Sequence, residues 1–163
     1  MRFNNSSLQK WVPIVYLFLF LGILLSILVY GVMRAENADD LFWYILPTGI
    51  LLLLFLFIYK VVAYFEYDSD GLALNFVNRG LMLSNFLNYR EKRAEFPREK
   101  LSRFKMNDFG IYRQLTIYVK SHSGREKKLK FNITFLSARK RRALRQSLEK
   151  VVAHNKVLDG GRK

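Results

Sequence analysis

Two uncharged apolar runs near the N-terminus limit what this chain can fold into. Residues 11–33 read WVPIVYLFLFLGILLSILVYGVM, and residues 41–59 read LFWYILPTGILLLLFLFIY. A hydrocarbon core about 30 Å thick needs roughly 20 apolar residues at about 1.5 Å rise each, and only a helix satisfies its own backbone groups in lipid. Apolar side chains occupy every face of both runs, and the rest of the chain is too small to bury them. The sequence therefore predicts two transmembrane helices. Pro13 falls in the first turn of the first, where its missing N–H costs little. Pro47, with Gly49 nearby, predicts a bend in the second. Trp11, Tyr16, Tyr30, Trp43 and Tyr44 lie near the run ends, as interfacial aromatics do. Gly22 and Ser26, four apart, permit close helix approach. The first run exceeds the roughly 7–15 residues of a signal-peptide core. Although Ala35-Glu36-Asn37-Ala38 follows it, an uncleaved helix is expected.

Charge sets the expected orientation. The first 66 residues hold four Lys/Arg (Arg2, Lys10, Arg34, Lys60) and four acids, so 23 of 27 basic residues lie beyond them and the net charge of +14 belongs to the C-terminal part. The flank before the first run is basic, residues 34–40 hold one base and three acids, and the sequence after the second run becomes strongly basic. Lys and Arg mark the cytoplasmic side, so both termini are expected inside. No charge lies mid-helix, so no proton relay or ion path is indicated. The chain lacks cysteine, which excludes disulfides, thiolate metal sites and cysteine nucleophiles. Its two histidines, His122 and His154, lie among polar residues and make a poor start for a zinc site.

Beyond residue 60 the texture changes to short alternating runs between turn signals. Val61–Tyr67 reads as a strand continuing from the second helix. Asp68-Ser69-Asp70-Gly71 is a turn, Leu72–Val77 a strand, Asn78-Arg79-Gly80 a second turn, and Leu81–Tyr89 a further run. Ala94–Pro97 and Leu101–Met106 flank Arg98-Glu99-Lys100. Tyr112–Lys120 is the clearest strand. Lys127–Phe135 follows a turn at His122–Arg125 and places Leu129, Phe131, Ile133 and Phe135 on one face. The period then switches to that of an amphipathic helix, with Ser137 as N-cap and Ala138, Leu144, Leu148, Val151 and Val152 as its apolar stripe.

Membrane helices, early Asp-Gly and Asn-Arg-Gly turns, Phe96-Pro97-Arg98-Glu99-Lys100-Leu101 ahead of a central strand, and a closing helix over Leu136–Val152 resemble bacterial membrane proteins with a pleckstrin-homology-like (PH-like) domain. The resemblance covers about residues 60–155 and the preceding helices. It implies an α+β membrane protein: a two-helix transmembrane hairpin, then a PH-like partly open β-barrel capped by a C-terminal helix. The expected organisation is a cytoplasmic N-terminal tail (1–10), a first transmembrane helix (11–33), a short extracytoplasmic loop (34–40), a second transmembrane helix (41–60), a basic cytoplasmic domain (61–155) and a disordered tail (156–163). The implied location is the bacterial inner membrane. The implied role is a platform for lipids, peptides or proteins. The Asp68–Gly71 loop is acidic, whereas phosphoinositide-binding members of that fold carry basic residues around the first strand–strand loop.

No nucleophile with a base, paired acids, metal-ligand spacing or glycine-rich phosphate loop stands in the sequence, and no cofactor or small-molecule substrate is indicated. Asn132-Ile133-Thr134 matches a glycosylation acceptor but falls in a predicted cytoplasmic strand. The basic clusters are the informative feature: Arg90 to Arg93, Arg98 to Lys105, Arg125, Lys127, Lys128 and Lys130, and Arg139, Lys140, Arg141, Arg142 and Arg145. Cations at a helix N-terminus oppose the helix dipole by about 0.3–1 kcal/mol each. Arg139–Arg145 crowd such an end, which hints at an anionic partner. The plainest reading is a solvated face following the positive-inside bias. The functional readings are a non-enzymatic scaffold gathering other integral membrane proteins, contact with the anionic leaflet, and contact with RNA or a ribosome, for which Phe104, Phe109 and Tyr112 could supply stacking. The residues expected to meet an anionic partner are Arg139, Lys140, Arg141, Arg142, Arg145, Arg125, Lys127 and Lys128.

Overall fold

The computed structural model describes residues 1–33, 41–81, 91–121 and 125–160. Over these residues the chain is α+β, with three helices and two antiparallel sheets. Strand β1 (Arg2–Asn4) precedes helix α1 (Ser7–Met33) and helix α2 (Leu41–Val61). Strands β2 (Ala63–Asp68), β3 (Ala73–Gly80) and β4 (Lys92–Pro97) follow, then a single 3-10 turn at Arg98–Lys100. Strands β5 (Leu101–Phe109), β6 (Tyr112–Lys120) and β7 (Glu126–Asn132) lead to helix α3 (Ala138–Gly160). Sheet order is β1-β2-β3-β4 in one layer and β5-β6-β7 in the other.

The first ten residues are not merely a tail. They contain β1, which pairs with β2 from Arg2↔Asp68 to Asn4↔Glu66 and makes the edge of the larger sheet. Asn5 is buried at the junction with α1. Its side chain donates to the Ala63 carbonyl (3.1 Å) and accepts from the Phe65 N–H (2.8 Å), with a backbone bond to the Phe65 carbonyl beside them. Only Ser6 separates Asn5 from the helix. Because α1 starts at Ser7, Pro13 lies nearly two turns inside it rather than in the first turn.

Among the described residues one helix is long and apolar enough to cross a membrane. It is α1, over Ser7–Val32, with mean hydropathy 2.8. The apolar stretch of α2 among those residues, Ile45–Val61, is shorter. The two helices pack together: Tyr16 meets Phe55 edge-on at 5.2 Å, and the Cα of Gly22 faces Leu51. Tyr16 is thus buried in the packing of the two helices. Helix α2 runs unbroken through Pro47. Phe18, Leu25 and Leu53 point outward, more than 60% exposed. The predicted connection 34–40 lies outside the described residues.

The core forms between the sheets and under α3. Phe76 is at its centre, with ring centroids 5.2 Å from Phe131, 5.9 Å from Phe96 and 5.1 Å from Tyr67. Leu74, Leu101, Leu115, Ile117, Leu144 and Leu148 complete it, all fully buried. Alternation on β3 has a clean period of two, which puts Leu74, Phe76, Asn78 and Gly80 inward. The expected turn at Asn78-Arg79-Gly80 is therefore strand. Asn78 stays in the ladder because its amide donates to the Tyr64 and Asn132 carbonyls (2.9 and 3.1 Å) and accepts from the Asn132 N–H (3.2 Å). The expected run at Leu81–Tyr89 lies outside the described residues from 82 onward.

Strand β7 ends at Asn132, three residues earlier than expected. The Asn132 side chain donates to the Val61 carbonyl (2.7 Å) and accepts from the Thr134 N–H (3.0 Å), which turns the chain. Ile133 and Leu136 are buried, whereas Phe135 is exposed and does not share their face. Ser137 caps α3 as expected, its hydroxyl accepting from the Lys140 N–H at 3.4 Å. Ala138, expected in the stripe, is exposed. The helix continues to Gly160, so 156–160 are helical and not a disordered tail. Asn155 explains the extension: it is buried, and its amide donates to the Arg98 and Leu101 carbonyls (2.7 and 2.8 Å).

Candidate anion-binding surface

The five basic residues at the start of α3 fall on different sides of the helix. Lys140 turns back to the β1–α1 junction, where its ammonium donates to the Asn4 carbonyl. Arg141 donates to the Leu136 carbonyl at 2.6 Å, satisfying a group of the loop before the helix. Arg145 faces Glu149 one turn on, at 3.9 Å. Arg139 and Arg142 are exposed. Local carbonyls and Glu149 thus offset part of the unfavourable dipole contact that the sequence suggested.

Arg141, Arg142 and Arg145 line a cleft of about 240 Å³ between α3 and the β5–β6 end of the smaller sheet, where Arg113 joins them. Among the described residues Asp108 is the one carboxylate in the lining. It accepts from Arg113 Nε at 2.7 Å and from the Gly110 N–H at 3.0 Å. The hydrogen bond from Arg113, together with that residue's charge, holds the Asp108 carboxyl below its usual pKa. Four guanidiniums against one carboxylate leave the cleft cationic. Guanidinium forks suit bidentate carboxylate or phosphate partners.

The remaining expected residues, Arg125, Lys127 and Lys128, do not join this cleft. They are exposed at the far end of β7. Lys127 pairs opposite Val119, whereas Asn132, at the cleft end, pairs opposite Gln114. Five residues of strand separate the two ends, roughly 16 Å. There Lys128 lies 5.9 Å from the Tyr118 ring centre, and Arg103 stacks on the same ring at 4.1 Å. Arg103 also bonds Glu126 at 2.9 Å, with Ser102 donating to that carboxylate at 2.6 Å. The Ser102 and Arg103 hydrogen bonds keep Glu126 below the ordinary carboxylate range.

A second cationic cleft, of about 250 Å³, escaped the sequence reading. Lys60, Arg79, Lys92 and Lys130 line it, along with Tyr112 and Gln114. They come from α2, β3, β4, β6 and β7, and no local pattern joins residues so far apart. Only strand register brings them together. Arg79 is steadied by the Tyr64 ring, 4.6 Å from its guanidinium. Of the aromatics considered for base stacking, Phe104 packs against the core and Tyr112 is half-buried, whereas Phe109 is exposed. Among the described residues no group of three metal-ligating side chains comes together.

Compared with family models, curated proteins and solved structures, the chain gives no match.

Proposed function

We propose that this chain is a non-enzymatic, membrane-anchored interaction subunit of the bacterial cytoplasmic membrane. In this reading α1 and α2 form a transmembrane hairpin with both termini cytoplasmic. The two sheets and α3 form a PH-like, partly open barrel that presents the Arg113–Arg141–Arg142–Arg145 cleft to an acidic cytoplasmic segment of a partner membrane protein. One observation supports it above the others. The Asn5 junction fuses an apolar, membrane-length helix directly to the sheet, with no linker between them. A domain held this rigidly offers its basic surface at a fixed height and angle to the membrane, which suits a docking partner in the same membrane. Four strands in one sheet, three in the other and a closing helix support the PH-like assignment.

Affinity purification from membranes in mild detergent, with and without nuclease, tests this. A stoichiometric membrane protein that survives nuclease, and is lost from the Arg142→Glu/Arg145→Glu variant, is the expected result. Recovery of ribosomal material alone, removed by nuclease, would replace the proposal with the RNA reading. A lone protein after cross-linking in intact cells would refute it.

A further inference from the structure

The end of the domain where α2 enters the sheet carries a feature that partner docking leaves unused. The β5–β6 turn exposes two apolar side chains, Phe109 at 64% and Ile111 at 68%, on either side of Gly110. Gly110 takes φ +75, which a side chain there would strain. Tight turns ordinarily carry polar residues, so this tip is costly if it faces only water.

Its surroundings point to what covers it. Tyr112 stacks on Phe109 with centroids 6.5 Å apart, and Tyr112 also lines the Lys60–Arg79–Lys92–Lys130 cleft. Lys60 is in the last turn of α2. Asn132, in the same cleft, bonds the Val61 carbonyl that closes that helix. The apolar tip and the cationic cleft therefore lie side by side where the helices meet the domain. The acidic Asp68–Gly71 turn is at the opposite end of β2. Among the described residues no carboxylate lines the cleft, and its volume is far above the roughly 10–15 Å³ that holds one water. Asp108 beside the tip is ion-paired with Arg113. An apolar tip next to a basic cleft matches the interfacial zone of an anionic leaflet, where each Lys or Arg contributes about 1 kcal/mol and aromatic rings settle at headgroup depth.

We infer that this end of the domain is a lipid site: the cleft holds the phosphate of an anionic phospholipid headgroup, and Phe109 and Ile111 rest at the boundary between headgroups and acyl chains. The site rests on the membrane-anchored reading. It uses residues other than those that line the Arg142 cleft, although Asp108 and Arg113 of that cleft flank the same turn. It adds a third attachment point beside the two helices, which fixes the tilt of the barrel against the leaflet.

The absence of cysteine allows single-site spin labels without background substitutions. The full chain is placed in nanodiscs of phosphatidylcholine with phosphatidylglycerol, labelled at Ile111→Cys, Leu72→Cys or Phe18→Cys, and relaxed with oxygen or a water-soluble nickel chelate. The expected result is preferential relaxation by oxygen at 18 and 111, and by nickel at 72, which is 91% exposed at the far turn. Nickel preference at 111 with oxygen preference at 18 would overturn the lipid site and leave the anchor standing. Nickel preference at 18 would overturn the anchor itself and the lipid site with it. Native mass spectrometry tests the cleft. Phosphatidylglycerol retained by the parent chain should fall about tenfold or more in Lys92→Glu/Lys130→Glu, and not in Lys127→Glu/Lys128→Glu. Equal retention in both variants, or displacement of the lipid by millimolar inorganic phosphate, would overturn the headgroup assignment. Lys92 and Lys130 are exposed, so their reversal leaves the core intact.

Discussion

Three asparagines do at the residue scale what apolar packing cannot. Asn5 joins α1 to β2, Asn78 joins β3 to β7, and Asn132 joins β7 to the end of α2. Each is buried with its amide paired, as burial of a polar group requires. Asn132→Ala strands the Val61 carbonyl and the Thr134 N–H, and should cost about 1–3 kcal/mol for each group left unsatisfied. Thermal unfolding in mild detergent measures it, with exposed Gln146→Ala expected within about 0.5 kcal/mol of the parent. Asparagine is depleted in strands and common in turns. Local propensity therefore made Asn78-Arg79-Gly80 read as a turn. The residue is kept in the strand by partners 14 and 54 positions away, which no local window contains. Ser137, whose bonds stay within one turn, was legible for the same reason reversed.

Among the elements, those whose evidence is local were the readable ones. Strand β6 matches its predicted bounds at Tyr112–Lys120, and the start of α3 follows from its cap. Strand β1 was not legible, since three residues show no alternation and their partner lies beyond two helices. Its pairing carries a pH dependence. Burial pushes the Glu66 carboxyl upward, but hydrogen bonds from Tyr64 and Arg2 outweigh it and hold the pKa below the ordinary value. A depressed folded value stabilises the fold above the unfolded pKa, near 4.3 on the order of model peptides. That contribution is lost as pH falls through the folded value. The parent chain should thus lose more melting temperature than Glu66→Gln on acidification from about pH 6 to about pH 3. Parallel curves would remove Glu66 from the acid response. Asp108 and Glu126, also depressed, act in both chains and cancel in the difference.

For the whole molecule, composition announced an apolar N-terminal part and a basic remainder, and the structure joins them into one body through β1. What composition could not announce is how the basic residues divide. Arg141, Arg142 and Arg145 share a cleft as neighbours on a helix do, whereas Lys60, Arg79, Lys92 and Lys130 meet only after both sheets have formed. The shared core makes both clefts depend on Phe76. Phe76→Ala should cost about 3–5 kcal/mol, and should abolish lipid retention and partner recovery together, read by the assays above alongside the melting curve. The order of synthesis gives β1 a further consequence. It is translated before β2 and must wait for it, roughly 60 residues later. At about 5–20 residues per second that wait is roughly 3–12 s. On the proposed topology, α1 and α2 insert within that interval, and β1 can reach β2 only if both helix ends return to the same side. On that topology a misthreaded chain would leave the β2 edge bare, and an unpaired strand edge is a template for aggregation.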